Sequence, residues 1–237
     1  MARLGVKVDQ IAVLRKSAGS KLPDPVAASV LIEQAGADGI VCHLREDRNH
    51  ITEKDVYLLK EIVKSHFNLQ IAPTEELIKV ALEVVPDMVT LVPERWKEEH
   101  GETALDANTH LDYLQEVVDM LRTQNLAINL LIEPAVHQIR AAAKLKVDFI
   151  EIYTGVYSKS TDYNEIMDEV ERIRAVAMGA SKLGLGVSAS VGLGYQNVGD
   201  IARIAAVEEI NIGHAIVSKA VMVGMERAVR DMLDLVR

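Results

Sequence analysis

Short apolar runs recur along the chain, each followed by a longer stretch whose apolar positions keep helical spacing. The runs at residues 4–9, 39–44, 68–72, 88–92, 127–132, 148–153, 185–190 and 209–212 have strand length. Helical patterns cover 25–34, about 53–65, a stretch from 75, about 108–124, 133 to about 146, about 162–183, a stretch from 197, and about 215–235. Their starts carry recognisable chemistry. Asp24 precedes Pro25, an N-cap followed by proline at the first helical position. Thr74 precedes Glu75 and Glu76, acids in a first turn where the helix dipole favours them. Residues 16–23, rich in Gly, Ser and Pro, read as a loop. Eight strand–helix units in strict alternation, with short connections and no strong linker, predict a (β/α)8 TIM barrel as a single domain over 1–237. An open doubly wound sheet is the rival, weakened because no Gly-x-Gly-x-x-Gly follows the first strand.

In a barrel the chemistry sits at the C-terminal ends of the strands and in the loops after them. The first strand offers Lys7 and Asp9, two apart and so on one face. They read either as a buried ion pair or as an amine facing a carbonyl or anionic ligand. The second strand offers His43 and Arg45, with His50 in the loop beyond. Glu46, Asp47 and Arg48 beside them read as surface groups. Gln70 is the polar inward candidate of the third strand. Glu151 of the sixth is a general base or the counter-charge of Lys7. The segment Ser190-Val191-Gly192-Leu193-Gly194-Tyr195-Gln196-Asn197 joins the seventh strand to a helix, and Asn211-Ile212-Gly213-His214-Ala215 joins the eighth to the last one. Glycines let backbone N–H groups approach an anion, and loops after strands seven and eight are the usual barrel phosphate site. Gly192, Gly194, Gly213 and His214 are therefore the phosphate-binding candidates. A metal site needs three or four converging ligands, and no tight ligand pair is present, so no metal is expected. The polar loop 93–106 holds the single tryptophan, Trp96, and is a candidate lid whose closure fluorescence quenching would report.

Composition narrows the picture. Apolar residues make up 49% and aromatics only 4%, so the core must be aliphatic. A formal charge of −9 argues against nucleic acid as partner and leaves any anionic ligand to local positive groups. The single cysteine, Cys42, excludes an internal disulfide and reads as a packing residue of the second strand. No apolar run reaches the roughly 18 residues of a membrane span, and no signal-peptide pattern opens the chain. The expectation is a cytoplasmic protein with no membrane partner.

The chain resembles the pyridoxine 5'-phosphate synthase family over nearly its whole length. The resemblance rests on Gly5-Val6-x-Val8-Asp9-x-Ile11-Ala12, Asp24-Pro25-Val26, Glu33-Gln34-Ala35-Gly36-Ala37-Asp38-Gly39-Ile40 and His43-Leu44-Arg45-Glu46-Asp47-Arg48-x-His50-Ile51-Thr52. Leu91-Val92-Pro93-Glu94, Phe149-Ile150-Glu151-Ile152-x-Thr154-Gly155 and Asn211-Ile212-Gly213-His214-Ala215-Ile216 complete it. It implies a (β/α)8 barrel with extra helices, a homo-oligomer built from dimers, phosphorylated small-molecule substrates, and no metal or organic cofactor. The implied reaction closes a ring between 3-amino-2-oxopropyl phosphate and 1-deoxyxylulose 5-phosphate, giving pyridoxine 5'-phosphate, phosphate and water. By the same resemblance His43 is catalytic, Glu151 belongs to the proton-transfer machinery, Asp9, Arg45 and His50 contact substrate, and Gly213 and His214 form a phosphate-binding turn.

The departures from the family pattern are specific. Lys7 and Gln10 stand where the family has Asn and His, and Gln70 stands where it has a catalytic Glu. Val191 replaces a catalytic His and Ala18 a substrate-binding Arg. Each lost general acid or base typically costs about 10²–10⁴-fold. Three readings follow: an active synthase using substitute residues, a diverged paralogue using Lys7 on another phosphorylated carbonyl or carboxylate substrate, or a non-catalytic relative that binds a phosphorylated ligand.

Overall fold

A computed structural model describes residues 1–93 and 104–237. Its strands are β1 (Arg3–Lys7), β2 (Gly39–Leu44), β3 (Phe67–Ile71), β4 (Met88–Leu91), β5 (Ala127–Ile132), β6 (Phe149–Tyr153), β7 (Gly186–Ser190) and β8 (Glu209–Ile212). All neighbours pair in parallel, and β8 pairs back to β1, so the sheet closes as the expected (β/α)8 barrel. The principal helices are α2 (Pro25–Gln34), α3 (Glu53–Ile62), α4 (Glu75–Val84), α5 (Leu111–Arg122), α6 (Val136–Lys144), α8 (Tyr163–Lys182) and α11 (Met225–Val236). Between them come α1 (Asp9–Ser17), α7 (Gly155–Lys159), α9 (Val198–Ala202) and α10 (His214–Val223).

Alternation along each strand divides the core in two. On β2, Ile40, Cys42 and Leu44 are fully buried among the aliphatic residues between sheet and helices. The alternate residues point into the barrel, and there the chain is mostly polar. Asn68, Gln70, Thr90, Asn129, Glu151, Ser188 and Asn211 are all buried. They bond across the barrel as well as along it: Asn129 on β5 donates to Ser188 Oγ on β7 at 3.2 Å, and Asn211 on β8 donates to Glu151 on β6 at 3.4 Å. Most barrels fill this space with Val, Ile and Leu. Here hydrogen bonds replace part of that packing, which is tolerable only because most of the polar groups find partners.

A repeated device fixes the N-terminal rim. Asp38, Asp87 and Asp148 each stand just before an even-numbered strand. Each carboxylate accepts the backbone N–H of the first or second residue of the preceding strand, from Leu4, Phe67 and Ile128, at 2.8 Å in every case. Arg237 closes on Asp38 at 3.0 Å and so ties the last helix to the first strand pair.

Several element boundaries differ from the expected ones. The first strand stops at Lys7, and Asp9 begins α1 instead of ending the strand. The run of Val6, Val8 and Ile11 hid that change of direction. Thr74 occupies the N-cap of α4 but makes no capping bond, and its Oγ1 is buried without a partner. The final helix breaks at Gly224, where φ is +85°, into α10 and α11. The candidate lid falls largely on residues 94–103, so Trp96 and Glu94 lie outside the described residues.

Candidate active site

The loop after β2 is held rigidly. Arg45 makes two 3.0 Å bonds to Asp47, whose carboxyl they hold down at about 2. Arg48 is not the plain surface group the sequence suggests. At φ +50° it donates to the carbonyls of Arg45 and Glu46 and bonds the carboxylates of Glu53 and Glu76. Arg15, on α1, grips Asp55 at 2.8 and 2.7 Å and also donates to the His50 carbonyl at 3.0 Å. Asp55 in turn forms a capping box with Thr52 at the start of α3. The family-bearing segment 43–52 is therefore clamped from two sides, and His50 is placed by its main chain. Cys42, behind it, is fully buried, and burial pushes its thiol well above the usual range, as a packing residue requires.

Lys7 pairs with neither acid expected of it. Its Nζ donates to Gln70 Oε1 at 2.6 Å, and Gln70 Nε2 reaches Glu151 Oε2 at 3.3 Å. Gln70 thus stands between the ammonium and the carboxylate, its amide orientation fixed by both. Glu151 has no solvent exposure and also accepts from Asn129 and Asn211. Burial raises its carboxyl pKa, against the lowering effects of a Ser190 hydrogen bond and the Lys7 charge. Asp9 is 8% exposed. Its Oδ1 accepts the His43 backbone N–H at 3.0 Å, while Oδ2 is buried with no partner. Burial raises Asp9 as well, opposed by Lys7 and the His43 N–H. The His43 ring goes the other way. Burial, then the charges of Lys7 and Arg45, push it well below the usual histidine value, so it is neutral near pH 7. His50 is lowered by burial and by Arg45.

The third side of the site is the pair of glycine loops. Val191 at φ +84° and Gly192 at φ +77° turn the chain sharply after β7. A β-branched residue in that region is a strained outlier, and such outliers collect at functional sites. A side chain on Gly192 would collide with Ser158. A Cβ on Gly213, the N-cap of α10, would lie 2.9 Å from the Lys7 carbonyl oxygen. Gly194 differs from the other glycines. Its N–H donates to Asn197 Oδ1 at 2.7 Å, so it shapes the loop and its N–H is already engaged.

These three sides enclose a cavity of about 870 Å³ at the C-terminal mouth of the barrel. Lys7, Asp9, His43, Arg45, His50 and Gln70 line one part, and Gly192, Gly194, Gly213 and His214 line another. Of the sequence-derived candidates only Glu151 is absent from the wall, lying beneath it and reaching it through Gln70. Other wall residues escaped the sequence reading, Ser218 and Lys219 among them. Ser218 sits one helical turn from His214, 3.3 Å from its ring nitrogen. Lys219 lies 4.1 Å from the Tyr195 ring centroid and pairs with Asp231 at 2.6 Å. The i,i+4 spacing of His214 and Ser218 on one helix was the available signal for the first. Among the described residues no group of three His, Cys, Asp or Glu side chains is placed to share a metal ion, and no helix is long and apolar enough to cross a membrane.

Comparisons with known proteins agree along the whole chain. Residues 4–237 match the family described as pyridoxal phosphate biosynthesis protein PdxJ. A pyridoxine 5'-phosphate synthase of Geotalea daltonii is 48% identical over 237 residues, all of this chain and 99% of that protein. One from Geobacter metallireducens is 47% identical, again over all of this chain and 99% of the relative. Among solved structures, KGPDC from Streptococcus mutans aligns with a TM-score of 0.67 over 99% of this chain and 97% of that one. Thiamine phosphate pyrophosphorylase from Pyrococcus furiosus aligns at 0.64 over 99% and 95%. These two are only 11% and 15% identical, so they speak to the barrel alone. The full-length match, together with the residues gathered at the barrel mouth, places this chain in the PdxJ family of pyridoxal phosphate biosynthesis proteins.

Proposed function

We propose that the chain is a synthase of the pyridoxine 5'-phosphate type, joining 3-amino-2-oxopropyl phosphate to 1-deoxyxylulose 5-phosphate with ring closure. The observation that carries this reading is the shared cavity, in which His43, Arg45, His50 and Asp9 face the glycine loops. Phosphate is held by the turns at Gly192 and at Gly213–His214, where the first N–H groups of α10 have no partner within the helix. Gly194 contributes through loop shape. Arg45 and His50 take the other end of the bound substrates. A neutral His43 can accept a proton from a reacting amine or hydroxyl, and Glu151 acts on the site through Gln70. Incubating the chain with both substrates tests the reading: pyridoxine 5'-phosphate is the expected product, and no product at high enzyme concentration overturns it.

The Lys7–Gln70 contact favours a second reading, a changed reaction on another phosphorylated carbonyl or carboxylate compound. An ammonium at position 7 and an amide at position 70 stand at the cavity wall where the family pattern implies an amide and a carboxylate. Borohydride trapping of a carbonyl compound on Lys7 supports this reading, and an unmodified Lys7 counts against its imine form. A homo-oligomer built from dimers accompanies either reading. Val221 and Met222, 70% and 82% exposed at the end of α10, are the apolar surface in its favour, and sedimentation velocity tests it. A cytoplasmic location, consistent with the single buried thiol, is tested by cell fractionation.

A further inference from the structure

The family pattern implies proton-transfer groups at positions 70 and 191, and this chain has an amide and an isopropyl group there. A synthase reading therefore has to supply proton transfer from elsewhere. Among the described residues Asp9 is the only carboxylate on the cavity wall, since Glu151 lies beneath it. The two oxygens of Asp9 have different surroundings. Oδ1 is fixed by the His43 N–H at 3.0 Å, and Oδ2 is buried without a partner. A buried carboxylate oxygen left unpaired is costly unless a ligand completes it. The start of α1 and the end of β2 hold the group from both sides, so its direction is set before a ligand arrives.

We propose that Asp9 is a catalytic acid–base residue of this chain, moving protons to and from the substrate through Oδ2. The inference rests on the synthase reading for its reaction. When the amine nitrogen bonds to the ketone carbon, the carbonyl electrons move to oxygen. Asp9, as carboxylate, takes a proton from that nitrogen and, as carboxylic acid, hands it to the oxygen. In the dehydration the nitrogen lone pair forms the C=N bond while the C–O bond breaks with its electrons on oxygen. Asp9 carries the second nitrogen proton to that oxygen, water leaves, and the carboxylate is regenerated. The role fits the surroundings: burial keeps the Asp9 carboxyl above the ordinary carboxylate value, closer to neutral pH. The charged and titratable groups facing it are Lys7 on β1, Cys42, His43 and Arg45 on and after β2, and His50 in the loop.

The test compares wild type with Asp9→Asn and Asp9→Glu. The asparagine keeps an acceptor for the His43 N–H but exchanges no proton. Its kcat should fall about 10²–10⁴-fold with KM unchanged, and the rise of kcat with pH through the Asp9 titration should vanish. The glutamate variant should keep that rise at a reduced kcat. Circular dichroism and calorimetry with inorganic phosphate establish that each variant is folded and binds anions. If the asparagine variant does not fold, the glutamate variant decides, and a pH profile without the rise overturns the proposal. A second readout needs no ring closure: the imine formed by these steps acidifies the protons beside the former ketone carbon of 1-deoxyxylulose 5-phosphate, and their exchange in heavy water with both substrates present is followed by NMR. Exchange by wild type that is lost in Asp9→Asn supports Asp9 even when no pyridoxine 5'-phosphate forms, in which case only the synthase reading fails. Turnover and exchange unaffected by Asp9→Asn overturn the Asp9 role and leave the synthase reading standing. Wild type with neither turnover nor exchange overturns both.

Discussion

Gln70→Glu, alone and with Lys7→Met, puts the cross-barrel geometry to a quantitative test. In the native chain Gln70 Oε1 is 2.6 Å from the Lys7 ammonium and its Nε2 is 3.3 Å from Glu151. A carboxylate there would attract Lys7 and repel Glu151. At an effective dielectric constant of about 20, those distances correspond to about 6 kcal/mol of attraction and about 5 kcal/mol of repulsion. The two nearly cancel, so Gln70→Glu alone should change stability by no more than about 1–2 kcal/mol. With Lys7 also changed to Met the attraction is gone and the repulsion stays. The two carboxyls must then share a proton, with the upper apparent pKa of the pair raised in the folded state. A raised folded-state value contributes stability that is full below the ordinary carboxylate range and is lost as pH rises from there through the raised value. Urea denaturation of the double variant should therefore show near-native stability at pH 5 and a loss of several kcal/mol at pH 8. Lys7→Met alone leaves Gln70 Oε1 without its donor and should cost about 1–3 kcal/mol at both pH values. The two substitutions should be non-additive at pH 8 by about 3 kcal/mol. Additive effects with no pH dependence would show that position 70 does not sit between the two charges.

Other outcomes follow from single features of the site. Gly213→Ala places a methyl group against the Lys7 carbonyl, which cannot rotate away, and should cost about 1–3 kcal/mol while weakening phosphate binding measured by calorimetry. Val191→Gly should be more stable than Val191→Ala by about 1 kcal/mol in chemical denaturation, because alanine loses packing yet keeps the strained φ of +84°. The usual order in ordered backbone is the reverse. Asp55→Ala removes both the capping box and the Arg15 pair, with an expected loss of about 2–4 kcal/mol. His43, held well below its ordinary value of 6.5, contributes stability that is present above that value and lost as pH falls towards its depressed one. His43→Asn should therefore flatten the decline in Tm below pH 6.5, measured by calorimetry.

The strands were largely legible because parallel barrel strands are continuous apolar runs of limited length. Those at 39–44, 127–132 and 209–212 fall where the pattern puts them. The short helices α1 and α7 were not legible: α1 continues the apolar run of the first strand through Val8, and α7, opening at Gly155, is only five residues long. Ten of the eleven candidate site residues reach the cavity wall, because strand ends and βα loops can be identified from order alone. Glu151 does not, because periodicity says which face a residue takes and not how deep it sits. The partner of Lys7 was hidden for a related reason. Register between β1 and β3 passes through β2, and only the closed barrel brings positions 7 and 70 within 2.6 Å.

That contact changes how the departures from the family pattern should be counted. A lysine at position 7 opposite a carboxylate at position 70 would form a tight ion pair, and the carboxylate would then be a poor base. A glutamine at position 70 opposite an uncharged residue at position 7 would leave its carbonyl oxygen without the donor it has now. Lysine and glutamine together satisfy each other at 2.6 Å and still leave ammonium hydrogens for the cavity that both line. The changes at 7 and 70 are thus physically one change. Relative to the pattern the family resemblance implies, it puts an amide in place of a carboxylate on the wall and installs a fixed positive donor, with Glu151 held behind it by amide donors. Val191 is a separate change on the far side, where the backbone keeps the strained turn although an isopropyl group can move no proton. Chemistry that needs proton transfer in this cavity must use the groups that remain on its wall, which brings it back to Asp9 beside the neutral ring of His43.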